Sequence, residues 1–295
     1  MSSQSILGPV ILHSHPLHSG ALEDSIFWRT LRHVRRFSAN PPVWIGNVPI
    51  ADDAVCRSVA SAELESDPRV RAFRQIYQHR SANDYVYDLF CIDRWIILLA
   101  FMEREGAERC VAIDSDVLGF FDLPGFFAPR IPEDNPALCQ LDFEALGMPV
   151  PQGSNGIVLS GHTAVLSRTH LEKFLEFVTG IYSDPSKLQA HEAFCGPYQS
   201  AGVFGGISDM SLWSDFLANA SDLSWKNLCG SDDGWTVDFN VNYPMGFRAD
   251  ENRRIFDFRD GVPGAYHEAS ERWIQHVTLH MQGAAKQRIG DWSDE

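Results

Sequence analysis

The chain has 295 residues, 44% hydrophobic and 21% charged, with a formal net charge of −15. A chain of this length and composition supports a large buried core in a soluble α/β protein. The acidic balance excludes non-specific binding to nucleic acid or anionic lipid, which needs basic patches. An anionic small ligand stays open, because the local field of a site governs such binding.

The six cysteines, Cys56, Cys91, Cys110, Cys139, Cys195 and Cys229, form no CxxC pair. That argues against a structural zinc site and for buried thiols in a reducing compartment. The opening "MSSQSILGPVILHSHP" has neither the basic start nor the small-residue end of a leader. The longest apolar run, "WIILLAFM" at 95–102, is too short to span a bilayer. The expectation is a cytoplasmic protein without an integral membrane segment.

In chain order, "PVILHSH" (9–15) predicts a strand. A helix over 20–37 follows, with Leu22, Ile26, Phe27, Leu31 and Val34 on one face and Arg35–Arg36 suiting the dipole at its end. Pro41–Pro42 stop it, and "VWIGN" (43–47) predicts the next strand, completing a strand–helix–strand unit of a parallel sheet. Residues 51–80 are polar and helical in pieces. A long apolar helix spans 84–106 and ends at Gly106, then "ERCVAID" (108–114) makes a buried strand. Residues 119–155 are irregular and rich in Pro and Gly. Strand then turn is predicted over 156–167, a helix over 169–182 capped by Thr169, and a helix over 210–221. "WTVDFNVN" (235–242) alternates like a strand. The pattern describes one α/β domain, with no repeat and no low-complexity linker.

Asp114 and Asp116 stand at the carboxyl end of the 108–114 strand. In open α/β sheets ligands bind at that edge. Asp-x-Asp is either a turn, which Asp favours, or a pair of short carboxylates reaching one divalent cation such as Mn²⁺ or Mg²⁺. A phosphatase of the haloacid dehalogenase type would use the first Asp as nucleophile. That family expects Thr or Val where Leu118 stands, and its pair usually lies near the N-terminus.

Four segments, in order, resemble glycosyltransferases of the GT-A fold. They are the opening strand and helix (9–36), "LFCIDRWIILLAFMEREGAERCVAIDSDVL" (89–118), "GVFGGISDMSLW" (202–213) and "LHMQGAAKQRI" (279–289). The second has an Arg-Trp pair in a helix before an Asp-Ser-Asp-Val strand end, and the fourth is similar to a terminal His-x-Gln-Gly-x-x-Lys. The resemblance implies a GT-A fold with a mostly parallel central sheet flanked by helices. It implies one catalytic domain over 1–295, with a nucleotide-binding half to about residue 118 and an acceptor half from about 119. It also implies transfer of a hexose-type sugar from a nucleotide diphosphate donor, UDP-linked by preference, to an acceptor hydroxyl. A non-catalytic sugar- or nucleotide-binding relative of the same fold is the alternative.

In that frame Asp116 ligates the metal, and Asp114 contacts the metal's water shell or the ribose. His280 is a third metal ligand or a diphosphate contact, with Gln282, Gly283 and Lys286 beside it. Gly lets backbone approach phosphate and Lys supplies a compact positive charge. Asp209, after Gly205 and Gly206, is the candidate base for the acceptor hydroxyl; it equally reads as an N-cap, and the glycines permit close approach to a ligand. Arg94, Arg80 and Asn83 resemble donor-side positions, although Arg94 also suits an internal ion pair. Asp238, Asn240 and Asn242 share one strand face, as a sugar-hydroxyl surface or a solvated edge. Asn155 is a plain turn residue or lies near the donor sugar. His13, His15 and His18 read as the loop after the first strand, near the base, rather than as a zinc site.

Overall fold

The computed structural model describes residues 6–13, 26–250, 253–289 and 292. The site depends on one long helix and the strand it feeds. Asp84 caps the helix Tyr85–Glu105, accepting from the backbone N–H of Val86 (2.9 Å) and Tyr87 (3.3 Å). Gly106 ends it in the left-handed conformation (φ 64°). From Ile92 to Met102 every residue is buried, so the helix is covered on all sides and turns the chain directly into the next strand.

Around it the elements are β1 (Leu7–His13), α1 (Ile26–Phe37), β2 (Val43–Gly46), β3 (Arg57–Ala60), α2 (Ser61–Glu65), α3 (Pro68–Ile76), α4 (Tyr85–Glu105), β4 (Arg109–Asp114) and β5 (Val117–Gly119). Then come α5 (Leu123–Phe127), β6 (Ala137–Gln140), β7 (Leu159–Ser167), α6 (Arg168–Ser183), α7 (Pro185–Ser200), α8 (Asp209–Asn219) and β8 (Lys226–Asn227). The chain continues with β9 (Trp235–Val237), β10 (Ala249–Asp250), β11 (Arg253–Arg254), β12 (Asp257–Arg259), β13 (Val262–His267), β14 (Arg272–His280) and a 3-10 turn, Gly283–Arg288.

The larger sheet has the order β3-β2-β1-β4-β7-β6-β8. All its neighbours are parallel except β7, which runs antiparallel to both β4 and β6. This is the mostly parallel, helix-flanked α/β architecture expected from the sequence. A second sheet, β12-β13-β14-β5, takes β9 alongside β14. The chain crosses from the first sheet to the second between β4 and β5, at Ser115–Asp116. Buried side chains such as Trp95, Phe101, Phe174 and Trp213 lie behind the larger sheet, each contributing about 1.5–3 kcal/mol by burial.

Several local expectations are corrected. The first strand begins at Leu7 rather than 9. Of the 20–37 helix, residues 20–25 lie outside the described residues, as do His15 and His18. Ser167, not Thr169, caps α6, through a reciprocal pair with His170 (3.2 and 3.1 Å). Ser208, not Asp209, caps α8, so Asp209 is the first helical residue. The 183–204 stretch, which carried no predicted shape, holds α7. Its buried positions Leu188, His191, Cys195 and Tyr198 are helically spaced, but a His among them and the Gly196–Pro197 breakers mask the apolar period.

The alternation in "WTVDFNVN" extends as a strand only to Val237. Asp238 and Val241 still donate to the carbonyls of Thr278 and His280 (both 3.2 Å), but Asn240 and Asn242 fold into a turn with each other, Asn240 Oδ1 accepting from the Asn242 N–H at 2.9 Å. Gly205 and Gly206 approach chain rather than a ligand. Gly206 bridges Ser81, and the Ala82 N–H donates to the Gly205 carbonyl at 2.7 Å. Gly206 has φ 132°, and a Cβ there would meet the Arg80 carbonyl oxygen at 2.2 Å. Both the backbone conformation and the space therefore require glycine. Gly206→Ala is expected to destabilise the protein by about 1–3 kcal/mol. Urea unfolding checks this, and an unchanged midpoint would contradict the clamp between 80–82 and α8.

Candidate functional site

Asp114 ends β4 and Asp116 follows one residue later in the turn into β5. β14 runs antiparallel to β5 with His280 opposite Val117, and the Met281 N–H donates to the Asp116 carbonyl at 2.9 Å. Backbone pairing thus carries His280 to Asp116 across the chain. Ligand atoms of Asp114, Asp116 and His280 all lie within 4.8 Å of one another. The Asp pair is a turn in its backbone and a cluster in its side chains, so the two sequence readings coexist.

The cleft around them has a volume of about 160 Å³. Its polar part is made by Arg94, Asp114, Asp116, Asp209, His280, Gln282 and Lys286, with Phe27, Tyr87, Phe90 and Met210 nearby on its wall. Arg94 is 7% exposed and forks between two carboxylates, donating to Asp114 Oδ1 at 2.5 Å and Asp209 Oδ2 at 2.7 Å. This is both the internal ion pair and the cleft position that its sequence allowed. Lys286 Nζ lies 3.0 Å from Asp116 Oδ2, and His280 Nε2 lies 3.6 Å from Asp116 Oδ1. Gly283 begins the turn that carries Lys286, with φ 61° and open space where a Cβ would stand.

Protonation follows from these contacts. Burial raises the carboxyl pKa of Asp209; Arg94 opposes that and Asp114 reinforces it. The Cys91 thiol beside them is pushed up, first by burial and then by Asp209, so it is no thiolate nucleophile. His280 Nδ1 lies 2.7 Å from the Phe239 carbonyl and donates to it, so Nε2 is the ring nitrogen that faces Asp116. The His162 ring stacks on His280 with centroids 4.0 Å apart. Burial holds its pKa well below the usual imidazole range, so it is neutral.

The donor set fits a hard or borderline divalent cation: two carboxylates and an imidazole whose Nε2 faces them. Charge agrees. The cleft holds three carboxylates, Asp114, Asp116 and Asp209, against two cations, Arg94 and Lys286. A divalent ion reverses that excess and leaves the cleft positive.

Other predicted residues are placed elsewhere. Asn155 is exposed and accepts from Tyr198 Oη at 2.6 Å and the Ile157 N–H at 3.0 Å, as a turn residue does. It is not among the described residues lining the cleft. Asp238 faces no ligand: its side chain is fully buried against Arg254 Nη1 at 2.6 Å. Asn240 is buried and donates to Gln282 Oε1 at 2.7 Å, so it steadies a cleft residue from behind. Asn83 Nδ2 is directed at Asp88 (3.4 Å), and Arg80 reaches Glu192 (3.5 Å) at the surface.

Sequence reasoning missed a Ser-His-Asp arrangement. His191 Nδ1 is 2.6 Å from Asp215 Oδ2, and its Nε2 is 3.1 Å from Ser211 Oγ. It is not a nucleophilic triad in this setting. Ser211 is fully buried, and its Oγ is engaged in a capping box with Ser208. The trio fixes the start of α8 and with it Asp209. No spacing in the sequence announces it, because its members meet only when α7 packs on α8.

No protein-family model matches the chain, and no curated protein matches it. Among solved structures it is similar to mouse xyloside xylosyltransferase 1 in its apo form. There the identity is 11%, with 77% of this chain and 85% of that chain covered at a TM-score of 0.46. It is also similar to a glycosyltransferase involved in glycosylation of the major capsid of PBCV-1 (12% identity, 97% and 98% covered, TM-score 0.41). A third is the galactosyltransferase LgtC with donor and acceptor sugar analogs (10% identity, 96% and 94% covered, TM-score 0.43).

Replacing Arg94 tests the electrostatic reading. Arg94→Met leaves Asp114 and Asp209 without their shared cation, a change expected to cost about 3–5 kcal/mol. Asp209 then has a still higher carboxyl pKa. A raised folded-state pKa gives stability that is present below the unfolded value and lost as pH rises through the folded one. The deficit in Arg94→Met is therefore expected to be larger at pH 7 than at pH 4, and to shrink when Asp209→Asn is added. Urea unfolding at both pH values measures it; an equal deficit at both would contradict the fork.

Proposed function

We propose that the chain is a metal-dependent glycosyltransferase of the GT-A type, a single catalytic domain over 1–295. It would move a hexose-type sugar from a nucleotide diphosphate donor, UDP-linked by preference, to an acceptor hydroxyl in the cytoplasm. One observation carries this reading: Asp114, Asp116 and His280 meet at the carboxyl edge of a mostly parallel sheet, with Lys286 beside them. Among the described residues no helix is long and apolar enough to cross a membrane.

Asp114, Asp116 and His280 would hold Mn²⁺ or Mg²⁺, which when bound stabilises charge on a diphosphate leaving group. Lys286, half-exposed on its turn, adds a second positive charge where that group departs. The bare backbone at Gly283 leaves room for a phosphate oxygen. Arg94 bridges Asp114 and Asp209 and fixes them relative to each other. In transfer, the bond from the sugar's anomeric carbon to the diphosphate oxygen breaks, and its electron pair stays with the diphosphate. The acceptor oxygen forms the new bond and gives up its proton. Asp209 is the group for that proton: one oxygen is held by Arg94, and burial raises its proton affinity.

The test is calorimetric titration of UDP with Mn²⁺ and with chelator, on the wild type and Asp116→Ala. Expected is binding that needs the metal and weakens more than about 100-fold in Asp116→Ala, beyond the usual effect of outer contacts. UDP-sugar hydrolysis then identifies the sugar. Metal-independent UDP binding that Asp116→Ala leaves unchanged would overturn the metal site. Phosphate release without any acceptor, through an aspartyl intermediate, would move the assignment to a phosphatase.

A further inference from the structure

Behind His280 lies a buried polar network that no step above uses. Arg254 and Asp238 form an ion pair with side chains 1% and 0% exposed. Arg254 Nη1 donates to Asp238 Oδ1 at 2.6 Å and to His276 Nε2 at 2.9 Å, and its Nη2 donates to the Tyr243 carbonyl at 2.6 Å. Asp238 Oδ2 accepts the backbone N–H of His280 at 3.0 Å. The Asp238 carbonyl lies 2.9 Å from His162 Nε2, and His162 Nδ1 lies 2.9 Å from Ser160 Oγ, at the cleft wall. The next carbonyl along, that of Phe239, takes the Nδ1 proton of His280.

Each link constrains one property of the His280 ring. The Asp238 carboxylate fixes its backbone. The Phe239 carbonyl selects the tautomer with Nε2 unprotonated. The neutral His162 ring, held at both nitrogens, sets its plane. All three connect through the 238–239 backbone, and Arg254 holds that backbone in place. A buried ion pair is weak evidence for stability by itself, since an apolar pair often serves as well. Its value lies in the directional acceptors it brings to a chosen point.

We propose that Asp238 and Arg254 are positioning residues for His280: they hold it, as the Nε2-unprotonated tautomer, on the Asp114–Asp116 cluster. This rests on the metal site proposed above. An amide at 238 keeps only one acceptor oxygen, so Asp238→Asn must leave either Arg254 or the His280 N–H without its partner. Arg254→Lys keeps the charge and loses the fork that reaches Asp238 and Tyr243 together.

Two readouts on the full chain test it: Mn²⁺ affinity by electron paramagnetic resonance, and the His280 tautomer from the ¹⁵N shifts of its ring. The expected result is a loss of about 10- to 100-fold in Mn²⁺ affinity for folded Asp238→Asn and Arg254→Lys. The His280 ring, a single Nδ1–H tautomer in the wild type, becomes a mixture in both. A purely structural ion pair would lower the melting temperature and move neither readout, and that outcome overturns the proposal. If Asp238→Asn does not fold, Arg254→Lys decides. A wild type that shows the single tautomer but binds no Mn²⁺ overturns the metal site and leaves the positioning role standing. A mixed tautomer in the wild type overturns the positioning role whatever the metal result.

Discussion

Arg94 is the constraint on which the site depends. Two like charges 4 Å apart near a protein surface repel by about 4 kcal/mol, so Asp114 and Asp209 need a cation between them to share one cleft. The guanidinium supplies it with a planar fork that reaches both carboxylates at once, which an ammonium would not do in the same way. It stands on the stretch of α4, Ile92 to Met102, in which every residue is buried, so its position is set by packing that the cleft does not share. The fork joins the end of β4 to the start of α8, and Arg94 itself lies 115 positions from Asp209 in the chain.

Three contacts fix the other side of that fork. The start of α8 is held by the capping box of Ser208 and Ser211, by His191 with Asp215, and by the close contact of Gly206 with Arg80. The smaller sheet does the corresponding work for His280, carrying it on β14 to the turn that holds Asp116. The cleft is therefore a seam between two sheets and two helices, with Arg94 from α4, Asp114 and Asp116 from the β4–β5 junction, Asp209 from the start of α8 and His280 from the end of β14. Arg94, Asp114, Asp209 and His280 stand on helices and strands or at their ends, while Asp116 and Lys286 stand on short turns that adjoin β5 and follow β14; this suits chemistry in which charge must be met at fixed points.

Much of this was legible in the sequence. The apolar run of 95–102 and Gly106 marked α4 and its end, and "ERCVAID" (108–114) marked a buried strand. Asp114 and Asp116 stood out because a strand built for packing has no use for charge at its tip. The pattern failed where polar residues do structural work. Asp238, Asn240 and Asn242 alternate as a solvent-facing strand would, but Asp238 turns inward to Arg254 and the two asparagines close a turn. Asn155 had two readings, a plain turn residue or a neighbour of the donor sugar, and it accepts from Tyr198 within a turn. His191, Ser211 and Asp215 gave no sign at all.

The sequence by itself determined the elements whose hydrophobic period matches their geometry: the β1–α1–β2 opening, α4, β4 and α6, and the acidic pair at a strand end. Local propensity and periodicity act over a few residues and need no knowledge of partners. Tertiary structure alone decided which charges meet. Arg94 had two equal readings until α8 brought Asp209 to 2.7 Å from it. His280 acquired its tautomer only when the Phe239 carbonyl reached its Nδ1. The ionisation and aim of a side chain depend on groups within a few ångströms in space, and folding draws those groups from distant parts of the chain.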